Sequence, residues 1–298
     1  MLNHSVIDTA GISHIPNTAT LAVKAPTILD VITESREEEQ RSPSPANKIM
    51  EDPNDGEVFH RVFDQREVKR WGESKVKKSG PALRGYEADT LKFIAEKTTI
   101  PVPKVYDTDW QDGRMTAFYM EYIPGKTLDK IWDDLKKEQK IAIAKELKGY
   151  MAQLRSLKGT YIGALDRNKA LIGKKMPHEC GPFETEREFN SYIMEDITST
   201  TPNMLRRYAR HALSHNHEIV FTHGDIAPRN VIIGEDKKVA ALIDWEESGW
   251  YPEHWEYMKA FQYLEPMMDW PDYLTIIFPP KYEKEYIGQC FLDSIMYH

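Results

Sequence analysis

The chain has 298 residues, and its 39 Lys and Arg against 47 Asp and Glu give a formal net charge of −8. A content of 41% hydrophobic and 29% charged residues is typical of a globular protein that buries a sizeable core. The acidic balance argues against a nucleic-acid partner, which requires a basic face, and against a polybasic membrane-surface module. No apolar run approaches the roughly 18 residues that span a bilayer, so we expect no membrane association.

The cysteine content and the first residues bear on the cellular compartment. Only two cysteines are present, Cys180 and Cys290, which excludes a disulfide scaffold and favours a reducing compartment. Residues 1–15 carry no Lys or Arg ahead of a hydrophobic stretch, so we predict no secretory signal. We expect a cytoplasmic protein, and the sequence leaves its oligomeric state open.

The composition of residues 1–55 differs from that of the rest of the chain. This segment contains nine acidic residues, four basic ones and no aromatic residue. It buries too little apolar surface to offset the entropy lost on ordering. We therefore predict a mostly disordered acidic tail.

Residues 56–124 are predicted to form a small sheet with one helix. Apolar residues at helical spacing predict the helix over 85–97. Aromatic and branched residues predict strands at 57–63 and 66–71, which form a hairpin, and at 103–107 and 114–123.

Residues 125–298 are predicted to be mainly helical, which gives an α+β protein overall. Apolar residues at steps of three and four predict a helix over 138–158. A capping box at Thr185 predicts a helix through 197, and Thr201-Pro202 predicts the start of another. Strands are predicted at 218–225, 230–234 and 239–244, with helices from residue 245 onward.

The most specific motif is His223-Gly224-Asp225-Ile226-Ala227-Pro228-Arg229-Asn230, followed by Ile243-Asp244-Trp245-Glu246. An apolar strand delivers Asp225 to a loop, Asn230 lies five residues later, and a short hairpin presents Asp244. Phosphoryl transfer needs a carboxylate that orients a hydroxyl and accepts its proton, together with oxygen ligands for Mg²⁺. The alternative is structural, with Asp225 capping a turn and Asn230 bonding to loop backbone. The ordered set favours phosphoryl transfer.

These residues resemble a known family. The pattern HGDxxxxN followed by IDWE resembles the aminoglycoside phosphotransferase and choline kinase group, which is similar to protein kinases in fold. The flanking segments TTIPVPKVY, YMEYIPGKTL, GPFETEREF and DWEESGWYPEHWEY resemble the fungal branch of aminoglycoside-phosphotransferase-like proteins. The resemblance covers about residues 57–260 and implies a two-lobed kinase-like fold, with lobes at 56–124 and 125–298, that binds ATP and Mg²⁺.

The resemblance also implies roles for individual residues. By position, Asp225 would be the catalytic base, and Asn230 and Asp244 the metal ligands. Glu121 to Ile123 would form the hinge, which holds adenine through backbone groups.

The nucleotide anchor is assigned through the same resemblance. Kinase-like folds hold the phosphates with a strand lysine that a helix glutamate fixes. Lys69 aligns best with that lysine and Glu87 with that glutamate, although Lys69 lies among basic residues that would ordinarily face solvent. No glycine occurs between Gly11 and Gly56, so a glycine loop over the phosphates is missing. That absence motivates the alternative of a non-catalytic binding protein on the same fold.

The sequence favours a small-molecule hydroxyl substrate over a peptide. A protein kinase would carry Arg before the catalytic Asp, where this chain has Gly224, and a long segment after the metal motif. Residues 244–273 contain eight acidic residues, one Lys and four Trp, which would suit a cationic acceptor. The alternative is that these tryptophans are core and the acids cap helices or face water. A metal site at His215, His217 and His223 is not expected, since no carboxylate or cysteine lies at ligand spacing.

Overall fold

A computed structural model describes residues 56–62, 65–173, 177–195, 197, 200–262 and 269–296. The predicted acidic tail, residues 1–55, lies outside the described residues. The predicted boundary between the lobes after residue 124 stays a prediction.

The first part of the described chain is an antiparallel sheet of five strands in the order β1-β2-β3-β5-β4. Its strands are β1 (Val58–Val62), β2 (Arg66–Trp71), β3 (Lys75–Ser79), β4 (Val105–Gln111) and β5 (Arg114–Glu121). The predicted hairpin and the two later strands are all present. Strand β3 was not predicted, because its sequence, KVKKS, contains a single apolar residue.

The predicted first helix is also present, as α1 (Tyr86–Lys97). It buries Ala88, Leu91 and Ile94, which recur at steps of three along one face. Phe118, on the neighbouring strand β5, belongs to the same core cluster. Burial of these apolar side chains orients α1 so that Glu87, also fully buried, points inward.

The second part of the chain combines helices with short strands. The helices are α2 (Leu128–Ile131), α3 (Lys137–Ser156), α4 (Glu186–Glu195), α5 (Asn203–Ala212), α6 (Trp255–Gln262), α7 (Trp270–Ile277) and α8 (Glu283–Ile295). The strands are β6 (Lys126–Thr127), β7 (Ala170–Ile172), β8 (His178–Cys180), β9 (Ile219–Thr222), β10 (Val231–Ile233), β11 (Val239–Leu242) and β12 (Gly249–Pro252). They pair as β11-β10-β6, β12-β9 and β7-β8.

Two helix starts test the capping predictions. At α4, Thr185 Oγ1 accepts a hydrogen bond from the backbone N–H of Glu188, and the Glu188 carboxylate accepts one from Glu184, so the predicted box is present one residue out of register. At α5 the helix begins at Asn203 and Pro202 is the N-cap, one residue later than predicted.

One apolar core joins the two parts. It includes Leu91 and Phe118 from the sheet region and Leu147, Trp245 and Trp270 from the helical region. Because these side chains pack in one cluster, the end of β11 is held against α1 and the sheet. Within the described residues, no helix has both the length and the apolar character that crossing a membrane requires.

Candidate active site

Strand β9 ends at a tight turn that places Asp225 in a loop. Gly224 adopts φ +86°, a left-handed conformation that L side chains rarely adopt. A Cβ on Gly224 would lie 2.4 Å from the carbonyl oxygen of Glu247, so the backbones approach too closely for any side chain. Only glycine satisfies both conditions.

Asp225 is held by two neighbours in its own loop. Asn230 donates from Nδ2 to Asp225 Oδ2 at 2.7 Å and to the Asp225 carbonyl at 2.9 Å. Arg229 Nη2 lies 2.6 Å from both carboxylate oxygens. The short 3-10 helix Pro228–Asn230 brings both partners back toward Asp225, and its carboxylate orientation is therefore fixed.

His223 connects the Asp225 loop with the hairpin that carries Asp244. Its Nδ1 accepts a hydrogen bond from the Asp225 backbone N–H at 3.2 Å, and its Nε2 lies 3.1 Å from the carbonyl of Ile243. The ring is fully buried, and burial lowers the pKa of His223, so the imidazole is neutral at pH 7. A neutral ring with its proton on Nε2 satisfies both bonds. These two bonds connect the Asp225 loop with the hairpin.

The buried carboxylate of Glu256, on α6, holds the same loop through two hydrogen bonds. It accepts hydrogen bonds from the backbone N–H groups of His223 at 2.6 Å and Gly224 at 3.1 Å. Burial raises the pKa of Glu256 to about 7, although these two bonds act in the opposite direction. Sequence analysis assigned Glu256 no partner, because its contacts lie more than thirty positions away in the chain.

A charge cluster forms where β3, α1 and the residues after β11 meet. Lys78 Nζ lies 2.9 Å from Glu87 Oε1, 2.8 Å from Asp244 Oδ1 and 3.5 Å from Glu246 Oε2. Arg66, on β2, pairs with the same Glu246 oxygen. The residue that Glu87 pairs with is therefore Lys78.

This pairing corrects the predicted assignment of Lys69. In the β2–β3 ladder Lys69 stands opposite Lys77, whereas Lys78 stands opposite Val68. Successive side chains of a strand point to opposite faces, so Lys69 lies on the face away from Glu87. There its Nζ is 5.7 Å from the centre of the Trp71 ring.

The alternation of inward and outward side chains along β3 could have identified Lys78 from the sequence. Val76 and Lys78 are the buried positions of KVKKS, two residues apart on one face. An apolar residue at Val76 marks the inward face, and the lysine two positions later shares it. Lys78 also follows two strands, as a third-strand lysine, whereas Lys69 follows only one.

Lys78 and Asp244 stabilise each other's charged forms, whereas burial raises the pKa of Glu87 although Lys78 acts in the opposite direction. Burial alone would lower the pKa of Lys78, but the carboxylates of Asp244 and Glu87 outweigh it and raise that pKa above 10.5. Burial alone would raise the pKa of Asp244, but the Lys78 ammonium lowers it below its ordinary value. At neutral pH Lys78 is therefore protonated and Asp244 is ionised.

The donors around Asp244 suit a hard divalent cation. Glu87, Asp244 and Glu246 each place an oxygen within 4.8 Å of the others, and the cations Lys78 and Arg66 face these three carboxylates. Asp244 Oδ2 accepts no hydrogen bond within the described part of the chain. Carboxylate oxygens are preferred Mg²⁺ ligands, so Asp244 fits the predicted ligand role.

Asn230 fits the second predicted ligand position by its amide orientation. Its side chain donates two hydrogen bonds from the nitrogen, Nδ2, and both go to Asp225. The backbone of Asn230 accepts a bond from the Ile243 N–H at 3.0 Å, which places the residue beside the Asp244 hairpin. Its amide oxygen accepts no hydrogen bond from the described residues and is therefore available to a ligand.

The predicted hinge follows strand β5. The Glu121 N–H donates to the carbonyl of Lys104 at 2.8 Å, and the Tyr122 N–H donates to the carbonyl of Ser74 at 2.9 Å. Ile123 is partly exposed, and its N–H donates no hydrogen bond to the described part of the chain. A free donor at Ile123 fits adenine recognition through backbone groups, and the hinge role of Glu121 and Ile123 stays a prediction.

The described residues of the acidic and aromatic window, 244–273, mainly contact other parts of the protein. Three of its four tryptophans, Trp245, Trp255 and Trp270, are buried in the core. Four of its acids pair with cations: Glu246 with Arg66 and Lys78, Glu247 with Lys259, Glu253 with Lys281, and Asp269 with Lys140. The burial of the tryptophans favours the alternative that they are core, whereas ion pairing of these acids was predicted by neither interpretation.

The site combines a lysine on a strand, a glutamate on a helix and the two carboxylates of the sequence motif. A family model described as the phosphotransferase enzyme family, APH, matches residues 63–286, which is most of the chain. The chain belongs to this family. Membership confirms the resemblance drawn from the motifs and makes the chain a phosphotransferase. No curated protein matches the sequence.

The phosphotransferase fold also appears in solved structures. The ADP-bound crystal structure of aminoglycoside phosphotransferase APH(2'')-Ib matches with a TM-score of 0.56 at 13% identity, over 90% of each chain. A ternary complex of streptomycin, ATP and APH(2'')-IIa gives a TM-score of 0.52 at 14% identity, over 92% of each chain. The apoenzyme of macrolide 2'-phosphotransferase MphH from Brachybacterium faecium gives 0.50 at 14%, over 88% of each chain. At these identities the likeness shows the fold alone, and it confirms the predicted α+β kinase-like architecture.

Proposed function

We propose that this phosphotransferase transfers the γ-phosphoryl group of ATP to the hydroxyl of a small molecule. The observation that carries the proposal is the junction of Lys78 and Glu87 with Asp244, which lies 166 positions from Lys78 in the chain. Beside it, Asn230 bonds to Asp225 in the loop that follows β9. Phosphoryl transfer is catalysed largely by positioning and by charge stabilisation, and these residues supply both.

Lys78 is proposed to hold the nucleotide phosphates, with Glu87 fixing its position. Glu87 is 2% exposed and accepts from Lys78 at 2.9 Å, so the ammonium is oriented before nucleotide arrives. Asp244 and Asn230 are proposed to hold Mg²⁺, which when bound neutralises charge on the phosphates. Lys78 would then exchange its contact with Asp244 for contacts with phosphate oxygens.

Asp225 is proposed to orient the acceptor hydroxyl and to accept its proton. Asn230 fixes one carboxylate oxygen, Oδ2, at 2.7 Å. The other oxygen, Oδ1, contacts Arg229, whose side chain is half exposed and free to move when a substrate enters. Transfer of the hydroxyl proton to Asp225 leaves an alkoxide-like oxygen that attacks in line.

The non-catalytic alternative rested on the missing glycine loop. With Lys78 as the anchor, both β1 and β2 precede it, as in a kinase-like sheet, although their connecting turn still contains no glycine. A protein kinase remains disfavoured by Gly224 and by the short segment between Asp244 and α6.

The acceptor class is broader than the acidic window suggested. Because four acids of that window pair with cations of the chain, less of its negative charge is available to an amino sugar or a quaternary amine. A cavity of about 460 Å³ lies beside the start of α1 and is lined by Arg84, Arg114, Lys169 and Glu179, among others. Cationic, neutral and anionic hydroxyl compounds therefore all belong in an acceptor screen.

The proposal is tested by ADP release with Mg²⁺-ATP across amino sugars, amino alcohols, sugars and hydroxy acids. We expect acceptor-dependent turnover that Asp225→Asn abolishes while the melting temperature is kept. Asp272→Asn is the matched control, because Asp272 is an exposed carboxylate outside the site. Full ADP release in Asp225→Asn would refute the catalytic role.

Nucleotide binding is measured separately from turnover. We expect Mg²⁺-ATP to raise the melting temperature of the wild type, and Asp244→Ala to lose the Mg²⁺-dependent part of that rise. No stabilisation at millimolar nucleotide would instead support the non-catalytic alternative.

A further inference from the structure

A second polar cluster lies outside the phosphotransferase site and contains two histidines and two glutamates. Glu186 opens α4, His217 precedes β9, His254 precedes α6, and Glu285 lies in α8. Glu186 and His254 are buried, and the His217 and Glu285 side chains are 11% and 14% exposed. The four side chains come from separate segments, so only the fold brings them together.

The distances in this cluster match a metal-binding donor set. One ligand atom each from Glu186, His217 and His254 lies within 4.8 Å of the other two. Glu186 Oε1 is 2.6 Å from His217 Nδ1 and 3.9 Å from His254 Nδ1. In a tetrahedral zinc site with bonds of about 2.0–2.2 Å, ligand atoms are about 3.4 Å apart. Shifts of less than 1 Å, on the order of a side-chain adjustment, would bring both separations to that value.

One nitrogen of the cluster is buried and has no hydrogen bond. His254 Nδ1 finds no donor or acceptor among the described residues, although the side chain is more than nine-tenths buried. A buried polar atom without a partner is destabilising unless a ligand or water satisfies it. This nitrogen points toward Glu186 and is the direct indication of a ligand.

The surroundings hold the other donors in place. The Glu186 Oε2 atom accepts a hydrogen bond from the His217 backbone N–H at 2.9 Å. The His217 Nε2 atom lies 3.5 Å from Glu285 Oε1, so a proton on Nε2 would leave Nδ1 as the donor atom. A carboxylate on the distal nitrogen of a histidine is the usual support of a metal-bound imidazole.

We propose that Glu186, His217 and His254 form a binding site for a divalent transition-metal ion, for which zinc fits best. Two imidazoles and one carboxylate are a nitrogen–oxygen set that zinc accepts, and Mg²⁺ and Ca²⁺ prefer oxygen alone. The fourth position is left for water.

The location gives the site a structural consequence. His217 lies two residues before β9, which leads to Asp225, and His254 lies two residues before Glu256, which bonds to the His223 and Gly224 N–H groups. A metal ion bound there would connect α4 with the start of β9 and with the start of α6, the two segments that hold the Asp225 loop. The site goes beyond the proposed function, and its test does not depend on turnover.

The test uses the full chain without an affinity tag. The protein is stripped with EDTA, equilibrated with zinc chloride and desalted, and its zinc is measured by mass spectrometry. We expect about one zinc per chain, a melting temperature that zinc raises by several degrees, and visible absorption of tetrahedral Co²⁺ after cobalt substitution. Exhaustive chelation should lower the melting temperature again.

Variants distinguish the site from adventitious binding. His254→Gln should lower zinc affinity at least about tenfold, with its melting temperature in EDTA close to that of the wild type. His217→Gln should behave in the same way. The controls His211→Gln and Cys290→Ser, both at exposed positions, should keep the full zinc content. Unchanged zinc content in His254→Gln, or less than about 0.1 zinc per wild-type chain, would overturn the proposal.

Discussion

Replacing Lys78 by methionine removes one buried positive charge and keeps the length of the side chain. The Lys78 side chain is almost fully buried, and its Nζ contacts Glu87 and Asp244, each within 3.0 Å. Removing one partner of a buried ion pair costs about 3–5 kcal/mol, because the other charge stays buried without compensation. The Asp244 side chain is 38% exposed and water screens part of its charge, so we expect the lower end, about 3 kcal/mol.

The cost depends on pH in a defined direction. Burial raises the pKa of Glu87 already in the wild type, where the Lys78 ammonium opposes the rise; in Lys78→Met that opposition is lost, and the pKa rises further above that of the unfolded chain. The folded variant therefore binds a proton that the unfolded chain releases, and its stability increases as the pH falls toward 5. The deficit relative to the wild type should accordingly be smaller at pH 5.5 than at pH 7.5.

Urea denaturation followed by circular dichroism at both pH values measures the deficit, and ADP release measures the activity. Lys69→Met is the matched control, since Lys69 lies on the other face of the same sheet and is partly exposed. We expect Lys69→Met to change stability by about 0.5 kcal/mol or less and to keep its activity. The reasoning would be refuted if Lys78→Met unfolded at the wild-type urea concentration, or if Lys69→Met lost as much as Lys78→Met.

Three further predictions follow from the catalytic loop. Gly224→Ala should cost at least about 2 kcal/mol more than Gly72→Ala, because both glycines have positive φ but only Gly224 would clash, and equal melting temperatures would contradict this. Burial raises the pKa of Glu256 to about 7 from 4.5. As the pH rises between these values, the unfolding free energy of the wild type should therefore fall relative to that of Glu256→Gln. An equal difference between the two proteins in urea denaturation at pH 5 and at pH 7.5 would contradict this prediction. Arg229→Ala should change stability by less than about 1 kcal/mol because its side chain is half exposed, whereas Asn230→Ala, at a buried position, should cost about 1–3 kcal/mol; the reverse order in thermal melts would show that the contacts are misassigned.

Regular elements with strong periodicity were predictable from the sequence. The hairpin of β1 and β2, the helices α1 and α3, and the strands around Asp225 all follow from local patterns of apolar residues. Local patterns suffice here because each element buries one face against the core. The strands β7, β8 and β12 were not predicted, although β10 and β11 are equally short, because their conformation depends on pairing with a partner strand.

The candidate site was predictable in part. Asp225, Asn230 and Asp244 could be named as candidates because the loop and the hairpin keep them close in sequence, and their roles stay a prediction. The lysine was misassigned because Lys69 and Lys78 both lie in basic stretches, and only the register of β3 decides which one faces Glu87. The register depends on pairing with β5, which lies about 40 residues further along the chain.

The contacts of the charge cluster have a further consequence, which concerns the order of folding. Lys78 and Asp244 are separated by 166 positions in the chain. Tyr86 and Glu246 are separated by 160 positions, and the Tyr86 hydroxyl donates to the Glu246 carbonyl at 2.7 Å. Contacts this distant in sequence close large loops, and their entropic cost delays them until local structure has formed. During refolding, helical signal should therefore return before nucleotide binding does. We therefore expect the candidate site to assemble after the local elements, and an incompletely folded chain to bind no nucleotide.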